Sequence, residues 1–138
     1  MTSTYVLDSC ALIAMVNKEP GCEIVSDLLS SAEAKYARIF MNKVNLLEFY
    51  YDSIRRQGQI GAQDGLSFVA VSPIKIIPWL SDEAFEEAGR LKSQYKISLA
   101  DAIALAEART QNASLVTCDH HEFDPLEKTE PITFLWIR

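Results

Sequence analysis

The sequence predicts an α/β fold in which a parallel sheet is covered by helices on both faces. Short β-rich apolar runs alternate along the chain with longer amphipathic segments, the pattern of strands joined by helices in a parallel sheet. Acidic residues follow two of the predicted strands, and α/β proteins place their ligands beyond the carboxyl ends of strands. A length of 138 residues is typical of one domain, so we expect residues 1–138 to form a single unit.

The first half of the chain contains two predicted strands and four predicted helices. Residues 4–7 form a buried strand that ends at Asp8, and a short helix follows from Ser9. Pro20 is well placed to start the second helix, because its ring fixes φ at a helical value. The other elements predicted here are a strand over residues 36–41, a long helix that opens at Asn42 and stops at Gly58, and a helix over residues 63–71.

The second half begins with a predicted strand over residues 74–77. Ser81 then caps a helix with acidic residues in its first turn and lysines near its end, as the helix dipole favours. Ser98 caps the next helix, which runs to about Gln111. Strands over residues 114–118 and 132–137 complete the predicted sheet.

Composition indicates an ordinary soluble protein, with 49% apolar and 23% charged residues. No apolar run approaches the roughly 20 residues that span a bilayer, and no basic region precedes an apolar core at the amino terminus, so we expect neither a membrane segment nor a secretory signal. Three cysteines form an odd set without metal-ligand spacing. We therefore expect no disulfide framework and a cytoplasmic location.

The net charge of −6 argues against a nucleic-acid-binding protein, because contacts to phosphates supply most non-specific affinity. Bound divalent cations would offset part of this charge at a binding site. A local basic surface, such as Arg55 with Arg56 or Lys92 with Lys96, could also follow a nucleic-acid backbone despite the global sign.

Four carboxylates interrupt or end apolar runs instead of lying on polar helix faces. They are Asp8 after YVL, Glu48 in NLLEFYY, Asp101 in SLADAIALA and Asp119 in SLVTCDHHEF. Carboxylates that converge from distant segments form divalent-cation sites for phosphodiester chemistry. Asp8 and Asp119 both follow predicted strands, so parallel strands would bring them to one edge of the sheet.

Each carboxylate also has a purely structural explanation. Asp8 suits a helix N-cap, Glu48 suits a solvated helix face, and Asp119 suits an Asp-rich turn. Asp101 is the fourth residue of a capping box that begins at Ser98. However, all its neighbours in residues 99–106 are Ala, Ile or Leu, and a carboxylate on such a packed helix needs a partner or a cation.

The neighbouring histidines and cysteines are weaker candidates for function. His120 and His121 lack the partner spacing of a zinc site, so they are interpreted as solvated loop residues, with a supporting role near the metal as the alternative. Asp124 before Pro125 is interpreted as a turn residue and is kept as a candidate outer member of the site. Cys10 and Cys118 follow the first and fourth strands and could approach each other near the site. We interpret these two cysteines as small buried apolar residues in preference to a redox switch.

Taken together, these segments resemble the PIN domain family, and in particular its small VapC-like ribonuclease toxins. YVLDSCALIAMVNKEPGCEIVSDLL resembles the opening strand, the Asp-Ser/Thr step and the first two helices of that family. NKVNLLEFYY resembles its glutamate-bearing helix, and SLADAIALAEA and ASLVTCDHHEF resemble its third and fourth acidic segments. The order and spacing of the four blocks cover nearly the whole chain, which makes the match specific.

The resemblance implies a three-layer α/β/α sandwich with a parallel sheet in the order 3-2-1-4-5. It implies Asp8, Glu48, Asp101 and Asp119 as metal-binding and catalytic acids, with Ser9 and Thr117 as supporting polar groups. It also implies Mg²⁺ or Mn²⁺ as cofactor, RNA as substrate, an antitoxin protein as partner, and homodimerisation. The sequence departs from the family pattern in its acidity and in Cys10 and Cys118.

Two other functions compete with that of a metal-dependent ribonuclease. A PIN-like module with weak or lost nuclease activity, held by an antitoxin-like partner, is favoured by the acidic composition and disfavoured by the intact set of acids. A phosphoesterase built on Asp119-His120-His121 is excluded by the length of the chain and by missing companion motifs.

Overall fold

The structure, a computed structural model, describes residues 2–138. In this part of the chain five strands form one parallel sheet, and six helices connect them. The strands are β1 (Ser3–Leu7), β2 (Ala37–Asn42), β3 (Ile74–Ile77), β4 (Ser114–Thr117) and β5 (Phe134–Trp136); the helices are α1 (Ser9–Val16), α2 (Cys22–Glu33), α3 (Lys43–Val71), α4 (Asp82–Gln94), α5 (Leu99–Thr110) and α6 (His120–Glu127).

The strand order is β3-β2-β1-β4-β5 with every pair parallel, which confirms the predicted order 3-2-1-4-5. β1 lies at the centre, and Leu7 is paired with Val116 of β4. All strands therefore end at one edge of the sheet. Asp8 and Cys118 follow β1 and β4 directly at that edge.

The sheet separates two apolar cores, because neighbouring residues of a strand point to opposite faces. Val6 and Leu115 pack against α4, α5 and α6 on one face. Leu7 and Val116 pack against α1, α2 and α3 on the other. This arrangement confirms the predicted three-layer sandwich. The buried side chains of both cores flank the edge where the acidic residues lie.

Helix α2 begins at Cys22 and not at Pro20. Gly21, its N-cap residue, has φ of 95°, a left-handed conformation that glycine adopts without steric cost. A Cβ atom at this position would lie 2.3 Å from the carbonyl oxygen of Ile137. The carboxyl-terminal segment therefore packs directly on the turn before α2, a long-range contact that the local sequence does not reveal.

Helix α3 contains the two predicted helices, which meet at Gly58. The φ of 79° and ψ of 177° at Gly58 are not helical, so the axis breaks at that residue. The second part begins earlier than the predicted residue 63. Gly65 in the second part lies against Phe49 in the first part, and a Cβ at Gly65 would lie 2.9 Å from the Phe49 ring. The two parts thus pack closely on each other.

The prediction that residues 120–125 form a loop and turn is wrong. These residues belong to α6, whose N-cap is Asp119. Asp124 lies inside this helix, and its Oδ1 accepts a hydrogen bond of 2.8 Å from Nδ1 of His120. Pro125 suggested a turn, but it lies inside this helix of eight residues.

The expectation of no disulfide is also wrong. Cys10 and Cys118 are joined by a disulfide, with their Cα atoms 6.1 Å apart. The predicted approach of these two cysteines is confirmed, because the pairing of β1 with β4 brings the ends of the two strands together although 108 positions separate the residues. Cys22 is a free thiol.

No helix within residues 2–138 is both long enough and apolar enough to cross a membrane.

Candidate metal and active site

Asp8 is the most buried of the four candidate acids, with 2% of its surface exposed. It ends β1 and caps α1: Oδ1 accepts a hydrogen bond of 2.9 Å from the amide of Ala11. Its other oxygen, Oδ2, accepts from the hydroxyl of Thr117. The predicted capping role is therefore present, and the side chain is held rigidly at the edge of the sheet.

Thr117 connects Asp8 to Asp119. Its hydroxyl donates to Asp8 and accepts a hydrogen bond of 3.0 Å from the amide of Asp119. The Asp119 side chain is half-buried and caps α6 through a 3.2 Å bond from the amide of Glu122. One buried hydroxyl thus fixes the backbone of one acidic residue against the side chain of another.

Glu48 approaches the same edge from α3. Its Oε1 accepts a hydrogen bond from the hydroxyl of Ser9, the first residue of α1. The carboxylate is half-buried, so the interpretation as a fully solvated helix face is wrong. Ser9 is 8% exposed and orients this carboxylate beside Asp8.

Asn45, one turn before Glu48, is a wholly buried polar residue that the sequence did not single out. Its Nδ2 donates a 3.0 Å bond to the carbonyl oxygen of Ala100, next to Asp101. Its Oδ1 is buried without a hydrogen-bond partner among the described residues. Asn45 therefore ties the Glu48 helix to the start of the Asp101 helix.

Asp101 lies in the first turn of α5. Its amide donates a 3.1 Å bond to the side chain of Ser98, so half of the predicted capping box is present. The side chain itself is half-buried. No basic side chain within residues 2–138 forms an ion pair with it.

The electrostatics indicate that the acids form one group. Burial raises the pKa of the Asp8 carboxyl from 3.8 to about 7, with the charges of Asp101 and Asp119 adding to it and the Thr117 and Ala11 hydrogen bonds opposing it. Burial likewise raises the pKa of Asp101 to about 7, assisted by the charges of Asp119, Glu48 and Glu122. Uncompensated negative charge therefore accumulates at this edge.

Glu122 is a fifth acid that the sequence analysis missed. It is half-buried in the first turn of α6, and its charge raises the pKa of Asp101. Its position three residues after Asp119 places both on one side of a helix. That spacing was visible in the sequence, but it carried no meaning while residues 120–125 were interpreted as a loop.

The donor set suits a hard divalent cation, since every candidate ligand is a carboxylate oxygen. Burial is the main cause of the raised pKa values of Asp8 and Asp101, neighbouring carboxylates add to it, and a bound cation would favour the charged form of both. As placed, no three His, Cys, Asp or Glu side chains of residues 2–138 lie close enough together to hold an ion. The fit of these residues to the ion therefore rests on the chemistry of their oxygen donors.

An open pocket beside Glu48 is lined by three arginine side chains. Arg55, Arg56 and Arg138 line it together with Cys10. Arg56 pairs with Asp52 at 2.9 Å, and the guanidinium of Arg55 lies 5.0 Å from the centre of the Tyr51 ring. A larger pocket of about 810 Å³ lies at the opposite edge, near the amino ends of the strands, and contains none of the candidate acids.

A parallel sheet in the order 3-2-1-4-5 with acidic side chains beyond the ends of its central strands places the chain among α/β domains with a site at the carboxyl edge of the sheet. The PIN domain model matches residues 5–128. The chain therefore belongs to the PIN domain family, as its sequence resemblance indicated. No curated protein matches it significantly.

Solved structures with the same fold include several toxin–antitoxin proteins. VapBC2 from Rickettsia felis, bound to a DNA fragment from its promoter, is 20% identical over 96% of this chain and 97% of that chain, with a TM-score of 0.75. DNA-bound VapBC from Salmonella typhimurium is 16% identical over 100% of both chains, with a TM-score of 0.71. VapC20 from Mycobacterium tuberculosis, a sarcin–ricin loop cleaving toxin, is 14% identical over 88% of this chain and 94% of that chain, with a TM-score of 0.67. At these identities the similarity establishes the fold alone.

Proposed function

We propose that this protein is a divalent-metal-dependent endoribonuclease and the toxin of a type II toxin–antitoxin pair. The observation that carries the proposal is the grouping of Asp8 and Asp101, two carboxyls from different elements at one edge of the sheet whose pKa values are both raised to about 7, mainly by burial and further by neighbouring carboxylates. Such a group at the carboxyl edge of a parallel sheet is suited to metal-assisted phosphodiester hydrolysis. Membership of the PIN family supports the same activity.

The proposed roles of the residues follow from their positions. Asp8, Asp101 and Asp119 hold Mg²⁺ or Mn²⁺, and Glu48 completes the site. Thr117 holds the Asp8 carboxylate and the Asp119 backbone, while Ser9 orients Glu48. When bound, the cation supplies Lewis-acid activation and positive charge for hydrolysis of the phosphodiester.

The substrate in this proposal is RNA, despite the net charge of −6. Arg55 beside the Glu48 pocket supports phosphate binding, because among residues 2–138 no carboxylate lies within salt-bridge distance of its guanidinium. Its position over the Tyr51 ring leaves a cation beside an exposed aromatic face. Aromatic and basic side chains together suit single-stranded nucleic acid.

The proposed setting is the cytoplasm, where an antitoxin protein would hold the single-domain toxin of residues 1–138, and homodimerisation is expected from the family. Similarity to VapBC complexes supports the antitoxin partner. A protein-binding module without nuclease activity is the second candidate, favoured by the observation that the carboxylates as placed do not form a ligand set.

The test is cleavage of structured and single-stranded RNA by the purified protein with Mg²⁺, with Mn²⁺ and with EDTA. We expect cleavage that requires the metal and leaves a 5′-phosphate. Asp8→Asn and Asp101→Asn should reduce the rate by about 10²-fold or more, whereas the exposed variant Asp64→Asn should cleave as the wild type does. Metal-independent cleavage, or equal rates for Asp8→Asn and Asp64→Asn, would exclude the proposal. Complete inactivity combined with antitoxin binding would favour the binding module.

A further inference from the structure

The disulfide between Cys10 and Cys118 lies inside the proposed site. Cys10 belongs to the first turn of α1, two residues after Asp8, and Cys118 directly precedes Asp119. The bond therefore joins the segments that carry two of the candidate ligands. No other pair of cysteines is bonded within residues 2–138, and Cys22 lies apart in α2.

Both cysteines lie partly at the protein surface. Each is only half-buried, and Cys10 lines the open pocket that also contains Glu48. Thiol–disulfide exchange requires that a thiolate reach one of the sulfur atoms. The open side of the pocket provides that approach without any opening of the two apolar cores.

The disulfide contributes more to the position of Asp119 than to that of Asp8. Asp8 is fixed by strand pairing, by the Ala11 amide and by the Thr117 hydroxyl. Among the described residues, the Asp119 side chain accepts a single hydrogen bond, from the Glu122 amide. The covalent link at Cys118 restrains the segment that presents Asp119 in addition to the bond from the Asp119 amide to the Thr117 hydroxyl.

We propose that Cys10 and Cys118 form a thiol–disulfide exchange site and that its oxidised form binds the divalent cation more tightly than its reduced form. The reagents of this site are dithiol reductants and disulfide oxidants. The inference rests on the proposed metal site and adds a means of regulating it. In a reducing compartment the pair is a dithiol, and oxidation tightens the site.

Reduction of the disulfide takes place in two exchange steps. A thiolate of the dithiol reductant attacks one sulfur atom, the Cys10–Cys118 bond breaks, and a mixed disulfide forms. The second thiol of the reductant then displaces the protein sulfur. Two electrons and two protons pass to the protein, which ends with two thiols, and the reductant ends as a disulfide.

The coupling has a physical cause. An ion that binds ligands from separate segments must restrict their motion, and a cross-link that already restricts them reduces this cost. Breaking the cross-link frees the β4–α6 connection, so the chain loses more conformational freedom when the ion binds. Linkage requires the reverse effect: the bound ion must make the disulfide harder to reduce by the same factor.

The experiment compares Mn²⁺ binding by calorimetry to the oxidised wild type, Cys10→Ser, Cys118→Ser and Cys22→Ser. The serine variants replace the reduced state, so no metal-chelating thiol reagent is present. We expect Cys10→Ser and Cys118→Ser to bind Mn²⁺ about tenfold more weakly, the scale of effects from groups that orient metal ligands. Cys22→Ser should bind as the oxidised wild type does.

A second measurement does not depend on the folding of the variants. The wild type is equilibrated with glutathione buffers of graded potential, with and without saturating Mn²⁺, and its disulfide content is determined by thiol alkylation and mass spectrometry. Mn²⁺ should raise the ratio of disulfide to dithiol about tenfold in a given buffer, by the reciprocity of linkage.

The outcomes separate the two proposals. Equal Mn²⁺ affinity in all four proteins, or a disulfide content unaffected by Mn²⁺, would overturn the redox coupling while leaving the metal site intact. Persistence of three free thiols in every oxidising buffer would overturn the exchange site itself. Absence of Mn²⁺ binding in both redox states would overturn the metal site and the coupling together.

Discussion

The hydroxyl of Thr117 donates a hydrogen bond to the Asp8 carboxylate across 109 positions of sequence. The contact exists because β1 and β4 are neighbours in the sheet, with Leu7 paired to Val116. The same hydroxyl accepts from the amide of Asp119. A single side chain therefore links two of the candidate metal ligands, and removal of its hydroxyl should lower the free energy of unfolding.

Thr117→Val should lower the free energy of unfolding by about 1–3 kcal/mol, because it leaves the buried Asp8 oxygen and the Asp119 amide without their partner. The loss should be larger at pH 8 than at pH 5, since the hydrogen bond stabilises the charged form of a carboxyl whose pKa is about 7. Urea denaturation at the two pH values measures both effects. Thr117→Ser keeps the hydroxyl and should retain most of the stability; a Thr117→Ser protein that loses as much stability as Thr117→Val would contradict the assignment of the loss to the hydroxyl.

Asp8→Asn should stabilise the metal-free protein at high pH. The folded pKa of about 7 lies above the ordinary value of 3.8, so the folded state binds more protons between these values and stability falls as pH rises through that window. Asparagine removes this penalty. Denaturation in EDTA measures this effect. From pH 4 to pH 8 the free energy of unfolding of Asp8→Asn should increase relative to that of the wild type, by a few kcal/mol at most, since one pKa unit is about 1.4 kcal/mol.

Asp64→Asn is the matched control for that series, because Asp64 is exposed on α3. Its stability difference from the wild type should stay constant with pH. A wild-type curve that rises through the same window, or an Asp8→Asn curve parallel to it, would contradict the raised pKa.

Millimolar Mn²⁺ should raise the melting temperature of the wild type and of Asp64→Asn, and leave that of Asp8→Asn and Asp101→Asn unchanged. Ligand at 100 times its Kd adds about 2.7 kcal/mol to the stability of a folded protein. The shift should shrink from pH 8 to pH 6, because protons compete with the ion at two carboxyls whose pKa values are about 7. Thermal scans at both pH values test this; an equal shift in all four proteins would indicate binding elsewhere.

Glu130→Gln should destabilise the fold without affecting the metal. The Glu130 side chain is 6% exposed and accepts hydrogen bonds of 2.6 Å from Arg90 and 2.5 Å from Tyr95. The Arg90 hydrogen bond holds the pKa of Glu130 below its usual value, so this contribution is present at neutral pH and is lost as pH falls through the folded pKa.

At pH 7 we expect Glu130→Gln to cost about 1–3 kcal/mol by urea denaturation, with the difference shrinking in acid. Its Mn²⁺ shift should equal that of the wild type. A reduced shift would mean that the Arg90 network supports the metal site as well as the fold.

Much of the fold was readable from local sequence. The alternation of short apolar strands with capped helices predicted the sandwich, because both periodicities are local properties of the chain. Ser81 and Ser98 cap their helices as expected. The helix at residues 120–127 was missed because Pro125 and the Asp-rich segment resemble a turn, and with it Glu122 was missed as a neighbour of Asp101.

The sequence also singled out Asp8, Glu48, Asp101 and Asp119, since a carboxylate in an apolar run has an energetic cost that demands a reason. Their assignment as metal ligands stays a prediction. What the tertiary structure decided is which residues meet: Thr117 with Asp8, Ser9 with Glu48, Asn45 with Ala100, and Cys10 with Cys118. These contacts depend on strand order and helix docking, which sum weak interactions over the whole chain, so no local pattern of residues could specify them.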